Sequence, residues 1–321
     1  MKKNLRIAFM GTPEFAVASL EALVNSGFNV VVVVTAPDRP AGRGRKMTAP
    51  AVKQYAQKQG IPVLQPTRLK ESQFLGQLEA YDANLQVVVA FRMLPEVVWK
   101  LPAYGTFNLH ASMLPDYRGA APINWAIIRG ETQTGVTTFF IDEQIDTGNI
   151  ILQQQTPIGP EETAGDLHDR LMELGASLVL ETVRRIESGG VETHPQKHID
   201  SPKTAPKLNQ ENTCIPWELA AGEVYNRIRG LSPYPGGWTL LENGSDLLRV
   251  KVFTSTLTER SEKGDPGRLR QEGKRLFVAC GDGWLELLEM QLPGKRRMAV
   301  HEILNGLSLE KGAHFHQPPT P

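Results

Sequence analysis

The chain has 321 residues, with 35 Lys+Arg against 35 Asp+Glu and a 40% hydrophobic fraction. At ~150 residues per domain, that length predicts about two domains and leaves ample apolar content for a buried core. A net charge of zero excludes a uniformly basic chain that coats nucleic acid by bulk charge, but not a local basic patch. Cys214 and Cys280 stand far apart, in neither CxxC nor metal-ligand spacing, and read as free thiols in a reducing compartment. The first residues carry no signal-peptide pattern, and no apolar run approaches the ~20 residues that span a bilayer. A cytoplasmic protein without membrane attachment is expected, working as a monomer.

Residues 5–10 read as a buried strand, after which Thr12 at N-cap and Pro13 at N1 start a helix that Gly27 ends. A second strand covers 30–35, apolar on both faces as in a parallel sheet. Pro50 opens a helix that stops at Gly60. Short strands follow at 61–64 and 85–91, then a helix from about Pro95 and a strand at 106–109. Residues 136–141 and 150–156 read as a hairpin, and 163–188 as a long helix. This βαβ alternation predicts a Rossmann-like, mostly parallel α/β sheet with flanking helices, whose ligands sit outside the carboxyl ends of the strands. The pattern dissolves into Pro, Lys, Ser and Thr near His194, so the catalytic domain is placed at 1–194 and a linker at 195–212. From 213 to 321, a helix at 217–229 precedes short strands at 237–241, 247–253, 276–280 and 284–292. Gly-containing turns at 242–244 and 281–283 punctuate them. A small barrel or sandwich is expected there.

The loop after the 106–109 strand reads Asn108-Leu109-His110-Ala111-Ser112-Met113-Leu114-Pro115-Asp116-Tyr117-Arg118-Gly119-Ala120-Ala121-Pro122. Residues at i and i+2 share one face of an extended segment, so the Asn108 amide and the His110 imidazole project together. The turn of the following hairpin offers the Asp146 carboxylate. An amide, an imidazole and a carboxylate suffice for acyl transfer without a covalent intermediate. On residue types alone, a His ending a strand is more often a satisfied structural residue, and Asp-Thr-Gly is also a routine turn.

Asn-x-His-x-Ser-x-Leu-Pro at 108–115, with Tyr117-Arg118-Gly119-Ala120-Ala121-Pro122 and Asp146-Thr147-Gly148, resembles the 10-formyltetrahydrofolate-dependent formyltransferases. Gly11-Thr12-Pro13-Glu14-Phe15 and Pro37-Asp38-Arg39-Pro40-Ala41-Gly42-Arg43-Gly44 narrow the resemblance to the methionyl-tRNA formyltransferases among them. The similarity runs from about residue 5 to about residue 305. It implies that Asn108, His110 and Asp146 are catalytic. The formyl group of 10-formyltetrahydrofolate would move to the α-amino group of methionine on initiator tRNA, as translation initiation requires. Asn108 and protonated His110 would donate to the developing oxyanion, while Asp146 orients the imidazole and relays the proton of the attacking amine. No metal is implied, and no ligand cluster is present. Ser112, Met113, Leu114 and Pro115 would hold the folate. Met113 stands where the family has Leu, a swap that keeps apolar volume. Phe91 and Arg92 would border the pterin. Phe91-Arg92-Met93 departs from the family's Tyr/Phe-Gly segment, which puts the shape of the pocket there in question.

The loop from Thr35 to Pro50 holds Arg39, Arg43, Arg45 and Lys46 against Asp38. The resemblance implies that it engages the acceptor end of the tRNA, Arg43 foremost, with Lys207 of the linker a further contact. It also implies that the C-terminal domain is an OB-like β-barrel, a common oligonucleotide-binding shape. That region is itself neutral, with 14 Lys+Arg and 14 Asp+Glu over 208–321. Its clusters at 268–275 and 295–297 would have to supply the phosphate contacts. The main alternative is another formyltransferase or a hydrolase on the same catalytic domain, with a purine or amino-sugar substrate. A nucleotide-dependent oxidoreductase is disfavoured because Gly11-Thr12-Pro13-Glu14 is not GxGxxG. A non-enzymatic nucleic-acid module would leave the first 200 or so residues without a role.

Overall fold

The computed structural model describes residues 3–41, 46–260 and 262–317. They form two compact units: 1–119, 134–156 and 168–204 in one, and 120–133, 157–167 and 205–321 in the other.

In chain order the first half comprises β1 (Arg6–Gly11), α1 (Glu14–Asn25), β2 (Asn29–Val34), β3 (Arg39–Ala41), β4 (Lys46–Thr48), α2 (Ala51–Lys58), β5 (Val63–Leu64), α3 (Ser72–Glu79), β6 (Leu85–Val89), α4 (Glu96–Trp99), β7 (Thr106–His110), β8 (Arg118–Gly119), α5 (Pro122–Ile128), β9 (Gln133–Phe140), β10 (Ile150–Pro157) and α6 (Ala164–Ser188). Seven strands make one sheet in the order β10-β9-β7-β6-β1-β2-β5. The pairings β2–β5, β1–β2, β1–β6 and β6–β7 are parallel, and β7–β9 is antiparallel. β1 and β6 are almost wholly buried, because helices cover both faces of a parallel sheet and leave no polar side. On one face, Ala8, Met10, Val32, Val34 and Val88 pack with Phe74, Leu78 and Val98. This is the expected α/β architecture.

Local details differ. Pro13, in extended backbone, takes the N-cap of α1 and its carbonyl accepts from Ala16, so Thr12 does not cap the helix. Gly27 ends α1 as expected, with φ 77° and a hydrogen bond from Phe28 back to Leu23. α3 and α5 were not anticipated. Each has fewer than nine residues, too few to display a helical period, although Pro122 at the start of α5 and Gly130 just past its end are the same kind of signal that marked α2. The expected open loop at 35–50 contains a two-stranded ribbon in which Arg39 pairs with Thr48 and Ala41 with Lys46.

The second half adds β11 (Thr204–Ala205), α7 (Ala221–Leu231), β12 (Gly237–Asn243), β13 (Asp246–Leu257), β14 (Leu269–Glu272), β15 (Arg275–Ala279), β16 (Trp284–Gln291), β17 (Met298–Ala299), α8 (Val300–Ile303) and β18 (His314–His316). Seven of these strands form one sheet, with the path β14-β15-β16-β13-β12-β18 and β17 alongside β16. Hydrogen bonds from Leu269 to Ala313 and from Phe315 to Gly267 join the ends of the path, making a nearly closed antiparallel barrel. Closure removes the exposed edges. The helix expected at 217–229 lies at 221–231 instead. Trp217 is claimed by the barrel core, where its indole donates to Thr239 Oγ1 at 3.0 Å and stacks on Phe315, so helix formation waits for Ala220.

Candidate active site

β7 ends at His110, at the carboxyl edge of the parallel strands, where this topology places ligands. Along β7, Thr106, Phe107 and Leu109 are buried and Asn108 is half-buried. Leu109 faces α6, where a Cβ on Gly175 would lie 2.6 Å from its Cδ2. Asn108 and His110 therefore share the opposite face. The Asn108 amide has no hydrogen-bond partner among the described residues.

His110 is 6% exposed. Its Nε2 lies 2.8 Å from the Tyr117 carbonyl oxygen, which can only accept, so Nε2 carries the hydrogen. Its Nδ1 faces Asp146 Oδ2 at 3.8 Å, beyond direct hydrogen bonding but within ion-pair range. The same carboxylate oxygen accepts the Gly119 N–H at 3.0 Å. Among the described residues, the non-glycine positions with left-handed φ are Asp82, Ala90, Tyr117 and Asp146. Ala90 follows β6, which pairs with β7 through Val89 and Leu109, so three of these positions sit around His110. Such backbone costs about 1–3 kcal/mol per residue and persists only where the surroundings enforce it.

The segment after His110 is braced from the sheet. Ser112 Oγ donates to the Asp116 carbonyl, and Thr137 Oγ1 donates to the Ser112 carbonyl while accepting the Leu114 N–H. Gln153 Nε2 donates to Leu114 O and Thr137 Oγ1. Ser112 and Leu114 are thus buried internal fittings, whereas Met113 and Pro115 are half-buried. Arg92 does not fill the adjoining surface. Its guanidinium turns back to the Thr67 and Pro66 carbonyls and lies 5.6 Å over the Phe91 ring. Desolvation first, then repulsion by Arg39, lowers the Arg92 pKa from its ordinary value. Met93 is 73% exposed beside this segment, an apolar edge suited to an aromatic co-substrate.

Near the ribbon, Lys53 holds Asp38 at 2.7 Å and Gln65 donates to the same carboxylate, which together keep its pKa below the ordinary value. Arg39 is exposed at the base of the ribbon, and Lys207 is exposed as well. Arg43, Arg45 and the Lys46 side chain lie outside the described residues. Several of the C-terminal cations are already engaged with carboxylates. Arg270 pairs with Glu262, Arg275 with Glu286 and Arg297 with Glu289. Arg268, Lys274 and Lys295 are exposed without a carboxylate partner among the described residues. No group of three His, Cys, Asp or Glu side chains suited to a metal occurs among those residues.

Sequence reasoning missed the groups that surround His110 and Asp146. Tyr117 and Gly119 act through backbone atoms, which no residue type advertises. Gln196 was hidden in the Pro- and Lys-rich stretch read as a linker. It lines a cleft of about 240 Å³ with Pro115, Arg118 and Thr147.

Two family models match this chain: formyl transferase over residues 5–183 and formyl transferase, C-terminal domain, over 207–308. The methionyl-tRNA formyltransferase of Flavobacterium johnsoniae is 52% identical over 98% of the chain and 100% of its own length. The chain belongs to the methionyl-tRNA formyltransferase family. The Bacteroides fragilis methionyl-tRNA formyltransferase is 49% identical over 96% of the chain and 97% of its own length. An N-formyltransferase from Helicobacter canadensis, solved with folinic acid and dTDP-3-aminofucose, superposes with a TM-score of 0.62 at 24% identity. That alignment covers 88% of this chain and 98% of the other, and it supports the fold. Like the rest of the methionyl-tRNA formyltransferase family, this chain is a formyl-transferring enzyme. None of its described helices is long and apolar enough to cross a membrane.

Proposed function

We infer that the protein transfers the formyl group of 10-formyltetrahydrofolate to the α-amino group of methionyl initiator tRNA. The observation that carries this is full-length identity of about half to methionyl-tRNA formyltransferases, together with the Asn108, His110 and Asp146 grouping at one strand end. The folate supplies an activated formyl carbon on N10. The rest is done by side chains that position groups and move protons.

The free amine attacks the formyl carbon, and the carbonyl oxygen takes up negative charge. The unpartnered Asn108 amide is placed to donate to that oxygen. His110 Nε2–H is held by the Tyr117 carbonyl, so Nδ1 is the nitrogen left for the reacting groups. Nδ1 faces the reacting carbonyl oxygen beside Asn108, and the Asp146 carboxylate, 3.8 Å from Nδ1, accepts and relays the attacking amine's proton. Collapse breaks the bond from the formyl carbon to N10 and returns a proton to N10. Phe91, Met93, Met113 and Pro115 offer the apolar surface for the folate ring, and the backbone of 112–115 frames it. Arg92 shapes this surface by tying 91–92 to 66–67. Arg39, with Arg43, Arg45 and Lys46 of the same loop, takes the acceptor-end phosphates, and Lys207 and the barrel domain beyond about residue 213 add further contact to the tRNA.

The test is formyl transfer with 10-formyltetrahydrofolate and methionyl initiator tRNA, against uncharged tRNA, glycinamide ribonucleotide and amino-sugar nucleotides. Formylmethionyl-tRNA should form in step with tetrahydrofolate. Transfer to a purine precursor or an amino sugar, with none to methionyl-tRNA, would overturn the reading.

A further inference from the structure

We propose that Gln196 is a positioning residue for this reaction, its side-chain amide holding the Asp146 loop so that the carboxylate stays aimed at His110. The proposal rests on the function just inferred.

Asp146 has φ 57°, a conformation that a non-glycine residue leaves unless it is held. Gln196 Nε2 donates to the Asp146 carbonyl at 2.8 Å and to the Gly148 carbonyl at 3.0 Å. One NH2 group thus brackets Thr147 and fixes the backbone on both sides of it. The amide oxygen of Gln196 accepts from Arg118 Nε at 3.2 Å and Nη2 at 2.6 Å. Those partners set the orientation of the amide. Reversed, its NH2 would face a guanidinium and its oxygen would face two carbonyls.

Arg118 sits between the two backbone groups that serve the site. Tyr117 supplies the carbonyl at His110 Nε2, and Gly119 supplies the N–H at Asp146 Oδ2. The Arg118–Gln196 pair therefore ties together the loop that orients the imidazole and the loop that presents the carboxylate. The outer part of the Asp146 loop braces itself, through Thr147 Oγ1 and the Gln144 N–H on Asp142 Oδ1. Among the described residues, the side-chain donor to the Asp146 and Gly148 carbonyls is Gln196. Glutamate could keep the Arg118 contact but, ionised, has no hydrogen for either carbonyl. The site therefore needs an amide.

The test is a cycle of Gln196→Leu, Gln196→Glu, Asp146→Ala and the double variant Gln196→Leu/Asp146→Ala, with kcat, KM for both substrates and thermal midpoint measured for each. Misplacing a reacting group by about 1 Å costs on the order of 10²-fold. Each Gln196 variant should therefore lose about 10- to 100-fold in kcat, with each KM within about threefold. In the Asp146→Ala background, Gln196→Leu should cost less than about twofold more, because the group it positions is gone. Two results overturn the proposal: wild-type kcat in either folded Gln196 variant, or a Gln196→Leu loss that persists undiminished in the double variant. The second is what a merely structural staple predicts. Gln196→Glu, nearly isosteric, keeps the test decisive if Gln196→Leu lowers the thermal midpoint. Wild-type protein that fails to formylate methionyl-tRNA brings down the inferred function itself. Active wild type with additive losses brings down this proposal alone.

Discussion

His110 is constrained at both ring nitrogens, and the two constraints differ in kind. The Tyr117 carbonyl fixes Nε2 as a donor, while Asp146 faces Nδ1 without bonding to it. A group that acts mainly in the transition state should lower kcat when removed and leave KM nearly alone. His110→Ala and Asp146→Ala are each expected to lose about 10²-fold or more in kcat, measured at saturating substrates on folded protein. Near-wild-type kcat in either would remove that residue from the mechanism. The cysteines, by contrast, are poorly suited to nucleophilic chemistry. Burial, then the Asp282 charge, pushes the Cys280 thiol up to about 12, and desolvation also raises that of Cys214. Both are poor nucleophiles at neutral pH.

At the scale of elements, the site depends on how tightly loops lie against strands. Gly148 is buried, and a Cβ there would lie 1.7 Å from the Phe140 carbonyl oxygen. Backbone cannot yield as a side chain tip does. Gly148→Ala should destabilise the protein by about 1–3 kcal/mol and reduce kcat, because Asp146 is two residues away. Gly76 lies inside α3, where an added Cβ would meet nothing within 4 Å, so Gly76→Ala should stabilise by about 0.5–1 kcal/mol without altering activity. Thermal midpoints of the two variants should move in opposite directions. If they move together, the close approach of Gly148 to β9 is not what limits that position. The ribbon at 39–48 makes a related point. Its composition reads as an open polar loop, yet backbone pairing between Arg39 and Thr48 gives its base a defined shape.

For the whole molecule, neutrality arises by pairing as well as by balance. In the barrel, Arg275 lowers the Glu286 pKa and Arg297 lowers that of Glu289, while Arg260 does the same for Glu272. A carboxylate with a depressed folded-state pKa contributes stability above its unfolded value and loses it as pH falls through the folded one. The thermal midpoint should therefore be flat from neutral pH to about 5 and fall below about 4, near and under the unfolded glutamate value of ~4.3. A midpoint that rises on acidification would contradict these pairs. The same pairing limits how many barrel cations can neutralise phosphate. Binding to methionyl-tRNA should weaken with salt, and Lys207→Ala should reduce the slope of log K against log salt by about 1. An unchanged slope would remove Lys207 from the phosphate contacts.

The strand and helix alternation of the first half, a β-rich C-terminal domain, and the pairing of Asn108 with His110 on one strand face were legible in the residues, whereas the choice of barrel over sandwich came from the resemblance. Hydrophobic period, turn residues and the i, i+2 rule are local signals, and local signals survive in a one-dimensional string. α3 and α5 were too short to show a period, and the start of α7 was displaced because Trp217 serves the barrel core. Apart from Asp146, which the resemblance supplied, the surroundings of His110 were not legible. They consist of a carbonyl seven residues on, a backbone N–H that meets a carboxylate 27 residues away, and an amide 50 residues beyond that carboxylate. Backbone groups have no side-chain identity, and long-range hydrogen bonds leave no periodic trace. The sequence by itself determined which chemical groups were available. Only the tertiary structure decided which of them meet, because that depends on how strand ends and loops close in space.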